Sequence, residues 1–141
     1  APAHEVFVAT AAVADWRPAQ ASAHKIKKAK DQGAPSLSFT ENPDILASVA
    51  ALPASKRPWC MGFAAESHDL VKHARDKLVR KGVPLIAANL GPATFGRDDN
   101  RLVLLDAAGD RELPTAPKLA LARLLVREIA ERIPRSPTRQ A

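Results

Sequence analysis

The stretch between residues 17 and 35 concentrates positive charge in a segment that is poorly suited to a folded core. It contains Lys25, Lys27, Lys28 and Lys30, and Ile26 is its only large aliphatic residue. A segment of this composition cannot bury enough apolar surface to offset the entropy of ordering. The sequence predicts a flexible basic flap that closes over a polyphosphate and excludes water from it. The alternative is a solvated, disordered basic loop without a ligand.

Lys77 and Lys81 form a second basic group, on a helix predicted over residues 70–81. At a spacing of i and i+4 their side chains lie on one face of the helix, where two like charges repel. An anion held between them would offset this repulsion. The alternative is a solvated face whose cations are favoured by the helix C-terminus.

Two further segments supply polar groups that suit phosphate or magnesium. Asn42, Pro43, Asp44 and Ile45 read as a helix start, with Asn at the N-cap and Pro at the first helical position. The unpaired backbone N–H groups of such a start bind phosphate, although most starts are only capped. Asp15 follows an apolar run, and a carboxylate there suits a magnesium ion or a sugar hydroxyl, or simply ends a strand.

Several other chemistries are excluded by the residues that would carry them. The sequence contains no G-x-G-x-x-G, Walker A, H-E-x-x-H or C-x-x-C motif. Cys60, the single cysteine, lies within an apolar run, which favours a buried structural thiol over a nucleophile. The four histidines, at positions 4, 24, 68 and 73, are scattered and not at metal-ligand spacing, so we expect no histidine metal site.

Composition bounds the class of protein. The chain has 141 residues, of which 46% are hydrophobic and 26% charged, as in ordinary globular domains. No apolar run approaches the roughly 20 residues that a membrane span needs, and the start does not read as a signal peptide, so we expect a cytoplasmic protein without a membrane partner. The net charge of +6 favours an anionic partner, which could be nucleic acid, acidic lipid or a phosphorylated small molecule.

The predicted elements alternate between strand and helix. Strands are predicted over residues 5–14, 36–40, 59–64 and 83–88, helices over 43–54, 70–81 and 116–133, and a hairpin over 101–113 with its turn at 107–110. The predicted caps are Asn42, Ser67 or Asp69, Gly82 and Thr115. The helix residues predicted to face the core are Ile45, Val49 and Leu52 with Leu46 and Ala50 alongside, then Leu70, Ala74 and Leu78, and finally Leu121, Leu125 and Ile129. We predict an α/β fold: a Rossmann-like, three-layer parallel sheet with an added β-hairpin.

The domain limits follow from the same pattern. Residues 1–133 are predicted to be one domain that contains the flap, and residues 134–141 a disordered tail. A globular domain rarely begins with a central buried strand, so we expect an incomplete domain that lacks its N-terminal half.

Five motifs occur in the order and at the spacing found in one enzyme family. They are Ala9-Thr10-Ala11-Ala12-Val13-Ala14-Asp15-Trp16, Lys25-Ile26-Lys27-Lys28, Asn42-Pro43-Asp44-Ile45, Gly62-Phe63-Ala64-Ala65-Glu66, and Lys77 with Lys81. On these motifs the chain resembles the carboxy-terminal part of the bacterial phosphopantothenoylcysteine synthetases, of the DNA/pantothenate metabolism flavoprotein family. The resemblance runs from about residue 5 to residue 133. Leu90 differs from the Asp that many members have after Ala88-Asn89.

The resemblance implies a ligase of coenzyme A biosynthesis that uses CTP and Mg²⁺. In the family, the carboxylate of 4′-phosphopantothenate attacks the α-phosphate of CTP and releases pyrophosphate. The amine of cysteine then attacks the acyl-cytidylate, which gives phosphopantothenoylcysteine and CMP. The family's domain has an additional half before the position where this chain begins, so the 141 residues alone could be inactive.

Residue roles are also implied by the resemblance. Lys25 corresponds to the flap lysine that reaches the phosphates and is the catalytic candidate. Ala11 and Ala12 border the acyl intermediate, and Asp15 contacts the nucleotide or the metal. The other nucleotide-binding residues implied are Asn42, Pro43, Asp44, Ile45, Phe63, Lys77 and Lys81. Family members are dimers, and an upstream flavoprotein decarboxylase domain could build a larger oligomer.

Two readings from other classes remain open. A basic nucleic-acid-binding module would use the lysine flap and the tail, and would show a steep dependence on salt. The absence of Tyr argues against base stacking, and we expect no nucleic-acid partner. An inactive dimerisation fragment is the other alternative.

Overall fold

A computed structural model describes residues 4–22, 24, 36–91 and 96–133 of the chain. The strands are β1 (Val6–Ala9), β2 (Trp16–Pro18), β3 (Phe39–Glu41), β4 (Trp59–Glu66), β5 (Leu85–Leu90), β6 (Asp99–Asn100), β7 (Val103–Asp106), β8 (Gly109–Glu112) and β9 (Ala116–Pro117). The helices are α1 (Ile45–Ala50), α2 (Leu70–Lys81) and α3 (Lys118–Arg132). The chain divides into two compact units, one comprising residues 11–45 and the other the residues before and after them.

The larger unit is built on a five-stranded sheet in the order β1-β4-β5-β7-β8. Strands β1, β4 and β5 are parallel, whereas β7 and β8 form an antiparallel hairpin that extends the sheet. One core cluster, with Leu46, Ala74 and Ile86, covers one face, and a second, with Met61, Leu104 and Leu121, covers the other. These helix–sheet–helix layers confirm the predicted α/β fold with its added hairpin.

The predicted helices differ in how well their bounds agree with the structure. Helix α2 has the predicted bounds and ends at Gly82, whose φ of 61° is left-handed and costs glycine little. Leu121, Leu125 and Ile129 of α3 are buried as predicted. Helix α3 begins later than predicted because β9 pairs with β6 first, and Pro117 rather than Thr115 precedes it.

Helix α1 is shorter than the predicted helix over residues 43–54. It ends before Pro53, because the residue that precedes a proline avoids the helical region. Its core face also differs: Leu46 and Ala50 are buried, whereas Ile45 is half exposed. The predicted core face is therefore wrong for Ile45, whereas Val49 packs against the core and Leu46 and Ala50, predicted alongside, are its buried centre.

The first strand is also shorter than predicted. Only Val6–Ala9 pairs with β4, and residues 10–15 are irregular and exposed. Residues 10–14 are mostly alanines, which have weak strand propensity and little surface to bury.

The smaller unit contains a two-stranded antiparallel ribbon of β2 and β3. Arg17 and Pro18, the first two residues of the predicted flap, belong to β2 and pair with Thr40 and Phe39. Residues 25–35 of the flap and the tail 134–141 lie outside the described residues. Within the part of the chain that is described, no helix is both long enough and apolar enough to span a bilayer.

Candidate functional site

The carboxyl ends of three parallel strands meet at one edge of the sheet. Ala9 of β1 is level with Gly62 of β4, and Ala65 of β4 is level with Asn89 of β5. Ligands of open α/β sheets bind beyond this edge, because the loops there can diverge around them. This edge is therefore the candidate site of the larger unit.

Lys77 of α2 is held against the sheet by the backbone of β4. Its Nζ donates a hydrogen bond to the carbonyl oxygen of Phe63 at 2.7 Å, and its side chain is partly buried. Lys81 lies one helical turn further along α2 and is also partly buried. Helix α2 thus carries the predicted lysine pair, and one member is fixed beside the predicted Phe63.

Phe63 contributes to this contact through its main chain. Its ring packs with the core cluster that includes Met61 and Leu121, whereas its carbonyl accepts the bond from Lys77. Whether the ring lines a nucleotide site stays a prediction.

Asn42 makes several hydrogen bonds within the smaller unit. Its Nδ2 donates to the carbonyl oxygen of Ala14 at 2.7 Å, and its backbone N–H donates to that of Asp15 at 2.8 Å. Its Oδ1 accepts a bond from Arg17 at 3.0 Å, and Arg17 also donates to the carbonyl oxygen of Glu41. The predicted N-cap role of Asn42 is therefore wrong: helix α1 begins at Ile45, and the side chain instead joins two loop segments.

The other residues predicted in this unit are on its surface. Ala11, Ala12, Asp15, Pro43, Asp44 and Ile45 are exposed. Asp44 directly precedes α1, and the backbone carbonyl of Asp15 is fixed by its bond from Asn42. Lys25 lies outside the described residues, so its place in a site stays a prediction.

The structure brings together a group that sequence reasoning missed. His68, Asp69 and His73 present ligand atoms that all lie within 4.8 Å of one another. The expectation that the histidines are scattered is thus wrong for two of the four. Asp69 and His73 have the i and i+4 spacing of a helix start, which could have signalled the cluster. His68 precedes the helix, so helical spacing does not predict where its ring lies.

A cavity of about 920 Å³ lies at the opposite edge of the sheet. It is lined by Glu5, Pro58, Trp59, Cys60 and Val83, which stand at the amino ends of the parallel strands, and by residues of neighbouring loops and α3. Burial raises the pKa of the Cys60 thiol, and the nearby positive charge of Arg57 offsets only part of this rise. A buried, protonated thiol confirms the structural role predicted for Cys60. The cavity lies at the amino ends of the parallel strands, whereas ligands of such sheets bind at the carboxyl ends.

These features define the class as a three-layer α/β domain in which a lysine of α2 is bonded to the main chain of a central strand. The chain belongs to the DNA/pantothenate metabolism flavoprotein C-terminal domain family, whose profile matches residues 1–133. It is 43% identical over 136 residues to the coenzyme A biosynthesis bifunctional protein CoaBC of Vibrio cholerae, covering 94% of this chain and 34% of that protein. It is also 43% identical to CoaBC of Escherichia coli over 131 residues, 90% of this chain and 32% of the relative.

Solved structures show the same fold. The crystal structure of the C-terminal domain of CoaBC matches with a TM-score of 0.66 and 26% identity, over 90% of this chain and 54% of that one. A DNA/pantothenate metabolism flavoprotein from Streptococcus pneumoniae matches with a TM-score of 0.68 and 20% identity, over 92% of this chain and 62% of that one. The chain thus spans about a third of the length of the curated relatives.

Proposed function

We propose that this chain contributes the CTP-binding part of a ligase of coenzyme A biosynthesis. The proposed reaction joins 4′-phosphopantothenate to cysteine through an acyl-cytidylate, with release of pyrophosphate and then CMP. Membership of the family and relatives named for coenzyme A biosynthesis support the pathway. The nucleotide and the reaction are our inference from the residues and from the family that they resemble.

The observation that carries the proposal is the bond between Lys77 and the main chain of β4. The bond to the carbonyl of Phe63 holds the positive charge of Lys77 at a defined position on the sheet. Fixing the amine against β4 lowers the entropy lost when it also binds a phosphate oxygen. Lys81 adds a second positive charge one turn away.

Attack on the α-phosphate of CTP shifts negative charge onto the leaving pyrophosphate, so cations and N–H donors accelerate it. We assign Lys77 and Lys81 to the triphosphate. Lys25 of the flap is proposed to reach the same phosphates and to exclude water, which protects the acyl-cytidylate from hydrolysis.

In the smaller unit, we assign Asp15 to the magnesium ion that accompanies CTP. Its carboxylate is exposed, and carboxylate oxygens are the protein ligands that magnesium prefers. Magnesium bound there would neutralise phosphate charge. Asn42 holds the Asp15 and Ala14 carbonyls in place, while Pro43, Asp44 and Ile45 are proposed to contact the nucleotide and Ala11 and Ala12 the acyl group.

We further propose that the chain forms a homodimer through the ribbon of β2 and β3. Trp16 and Phe39, on opposite strands of the ribbon, are 56% and 57% exposed, and Leu37 beside them is 55% exposed. Apolar surface of this kind on a small ribbon is typical of an interface between chains. Light scattering of the chain and of Phe39→Ser tests this, and a monomeric unmodified chain would contradict it.

Calorimetric titration with CTP and Mg²⁺ tests the nucleotide proposal. Lys77→Ala should weaken binding by about tenfold or more, since a hydrogen bond to a charged group contributes about 1.5–3 kcal/mol. Lys25→Ala should weaken it similarly, whereas Lys72→Ala, an exposed lysine on the same helix, is the matched control. Absence of CTP binding, or equal affinity in all three variants, contradicts the proposal. Salt-sensitive binding of RNA in place of CTP would favour the nucleic-acid alternative.

A further inference from the structure

The turn between β4 and α2 places two imidazoles and a carboxylate together. The ligand atoms of His68, Asp69 and His73 lie within 4.8 Å of one another, and the two rings meet edge to face with centroids 5.0 Å apart. The carboxylate of Glu66, at the end of β4, lies 3.6 Å from Nδ1 of His73. The converging group therefore offers two nitrogen donors and one oxygen donor, with the Glu66 carboxylate beside His73.

The local backbone explains why these groups converge. Asp69 has left-handed dihedrals, with φ of 45°, which Asp tolerates better than most residues. It occupies the N-cap position of α2, yet its side chain makes no capping hydrogen bond. Its carbonyl accepts the N–H of His73 at 3.0 Å, so the two residues are held one helical turn apart.

We propose that His68, Asp69 and His73 bind a divalent transition-metal ion of the zinc class, with Glu66 as a supporting carboxylate. Two imidazole nitrogens with carboxylate oxygens favour zinc-like ions over magnesium or calcium, which prefer oxygen-only sites. In a tetrahedral zinc site the ligand atoms stand about 3.4 Å apart, so small side-chain rotations close the cluster around an ion.

The charges around this cluster act on a bound cation in opposite directions. The N-terminus of α2 carries a partial positive charge that disfavours a cation. Asp69 and Glu66 supply two negative charges that offset it. Because His73 and Lys77 lie at i and i+4 on α2, a metal here would restrain the helix that presents Lys77. This proposal goes beyond the proposed function, and neither its site nor its test involves CTP.

Calorimetric titration of the metal-free chain with zinc, without nucleotide, tests the site. We expect saturable binding of one ion per chain, and at least about tenfold weaker binding in His68→Ala and in His73→Ala. His4→Ala removes an exposed histidine outside the cluster and should bind zinc like the unmodified chain. Magnesium in excess should not compete.

A second variant separates binding from folding. Asp69→Asn keeps a residue that tolerates the left-handed conformation but removes the charge, so it should fold normally and still bind zinc less tightly. If His73→Ala unfolds, exposed His68→Ala decides the result. The proposal is overturned if the unmodified chain shows no saturable zinc binding, if folded His68→Ala and Asp69→Asn both bind zinc like that chain, or if magnesium displaces the zinc.

Discussion

At the residue scale, single polar contacts decide what each predicted site residue can do. The types and spacing of Lys77 and Lys81 were sufficient to predict a basic pair on one helix face. The bond from Lys77 to the carbonyl of Phe63 could not be predicted, because it joins residues 14 positions apart through tertiary packing. Asn42 shows the opposite case: local helix-start chemistry favoured a cap, but contacts with Ala14 and Arg17 occupy its amide.

Replacing Asn42 should loosen the smaller unit. Asn42→Ala removes the hydrogen bonds with Ala14 and Arg17, and we expect a loss of about 1 kcal/mol of local stability. Hydrogen exchange of the amides in β2 and β3 measures it. Asn42→Asp keeps the acceptor for Arg17 but removes the donor to the Ala14 carbonyl, so it separates the two bonds, while exposed Ser38→Ala is the control. Unchanged exchange in Asn42→Ala would show that these contacts do not hold the ribbon.

At the element scale, the sheet imposes limits that local sequence patterns do not reveal. The length and end of α2 followed from its periodicity and Gly82. The exposure of Ile45 could not be predicted, because the strands on which α1 packs decide which of its residues are buried. A Cβ on Gly62 of β4 would lie 2.5 Å from Cδ2 of Leu46 and 2.9 Å from Cδ1 of Ile86. Gly62 therefore permits α1 to pack closely on the sheet.

Gly62→Ala should destabilise the larger unit. The added methyl forces Leu46 or Ile86 out of position, and overpacking of this kind costs about 1–3 kcal/mol. The midpoint of urea unfolding measures the loss. Ala65→Ser, an exposed change on the same strand, should alter stability by less than about 0.5 kcal/mol. Equal midpoints for the two variants would refute the close packing of α1.

At the scale of the whole molecule, the order of strands and helices in the larger unit was predictable, because each buried run and helix stripe is continuous in sequence. The ion pairs that join distant elements could not be predicted, because their partners are far apart in the sequence. Asp106, at the end of β7, accepts bonds from Arg132 of α3 at 3.1 Å and from the N–H of Ala108 at 2.9 Å. Glu128 also pairs with Arg132 and with Arg111 of β8, so the hairpin is tied to α3.

The bonds that Asp106 accepts make the free energy of unfolding depend on pH. Burial by itself raises the pKa of Asp106, but the bonds from Ala108 and Arg132 outweigh it and hold that pKa below its ordinary value. A depressed pKa in the folded state adds stability above the unfolded value of about 3.9, and this is lost as pH falls through the folded value. Asp106→Asn should therefore lose about 1 kcal/mol at neutral pH and match the unmodified chain once Asp106 is protonated.

Urea unfolding midpoints between pH 7 and about pH 2 measure this dependence. Asp76→Asn, an exposed change on α2, is the control and should follow the unmodified chain throughout. A constant difference between Asp106→Asn and the unmodified chain at every pH would show that the negative charge of Asp106 is not the source of the stabilisation.

We propose that Lys25, Lys77 and Lys81 bind the phosphates of one CTP. A crystal structure of the chain with CTP and Mg²⁺ measures this directly, through the distances from each Nζ to the phosphate oxygens. We expect Nζ of Lys25 and of Lys77 each to lie within about 3.2 Å of oxygens of the same triphosphate, with Asp15 at the magnesium. Lysines over separate surfaces that cannot reach a single nucleotide would contradict it.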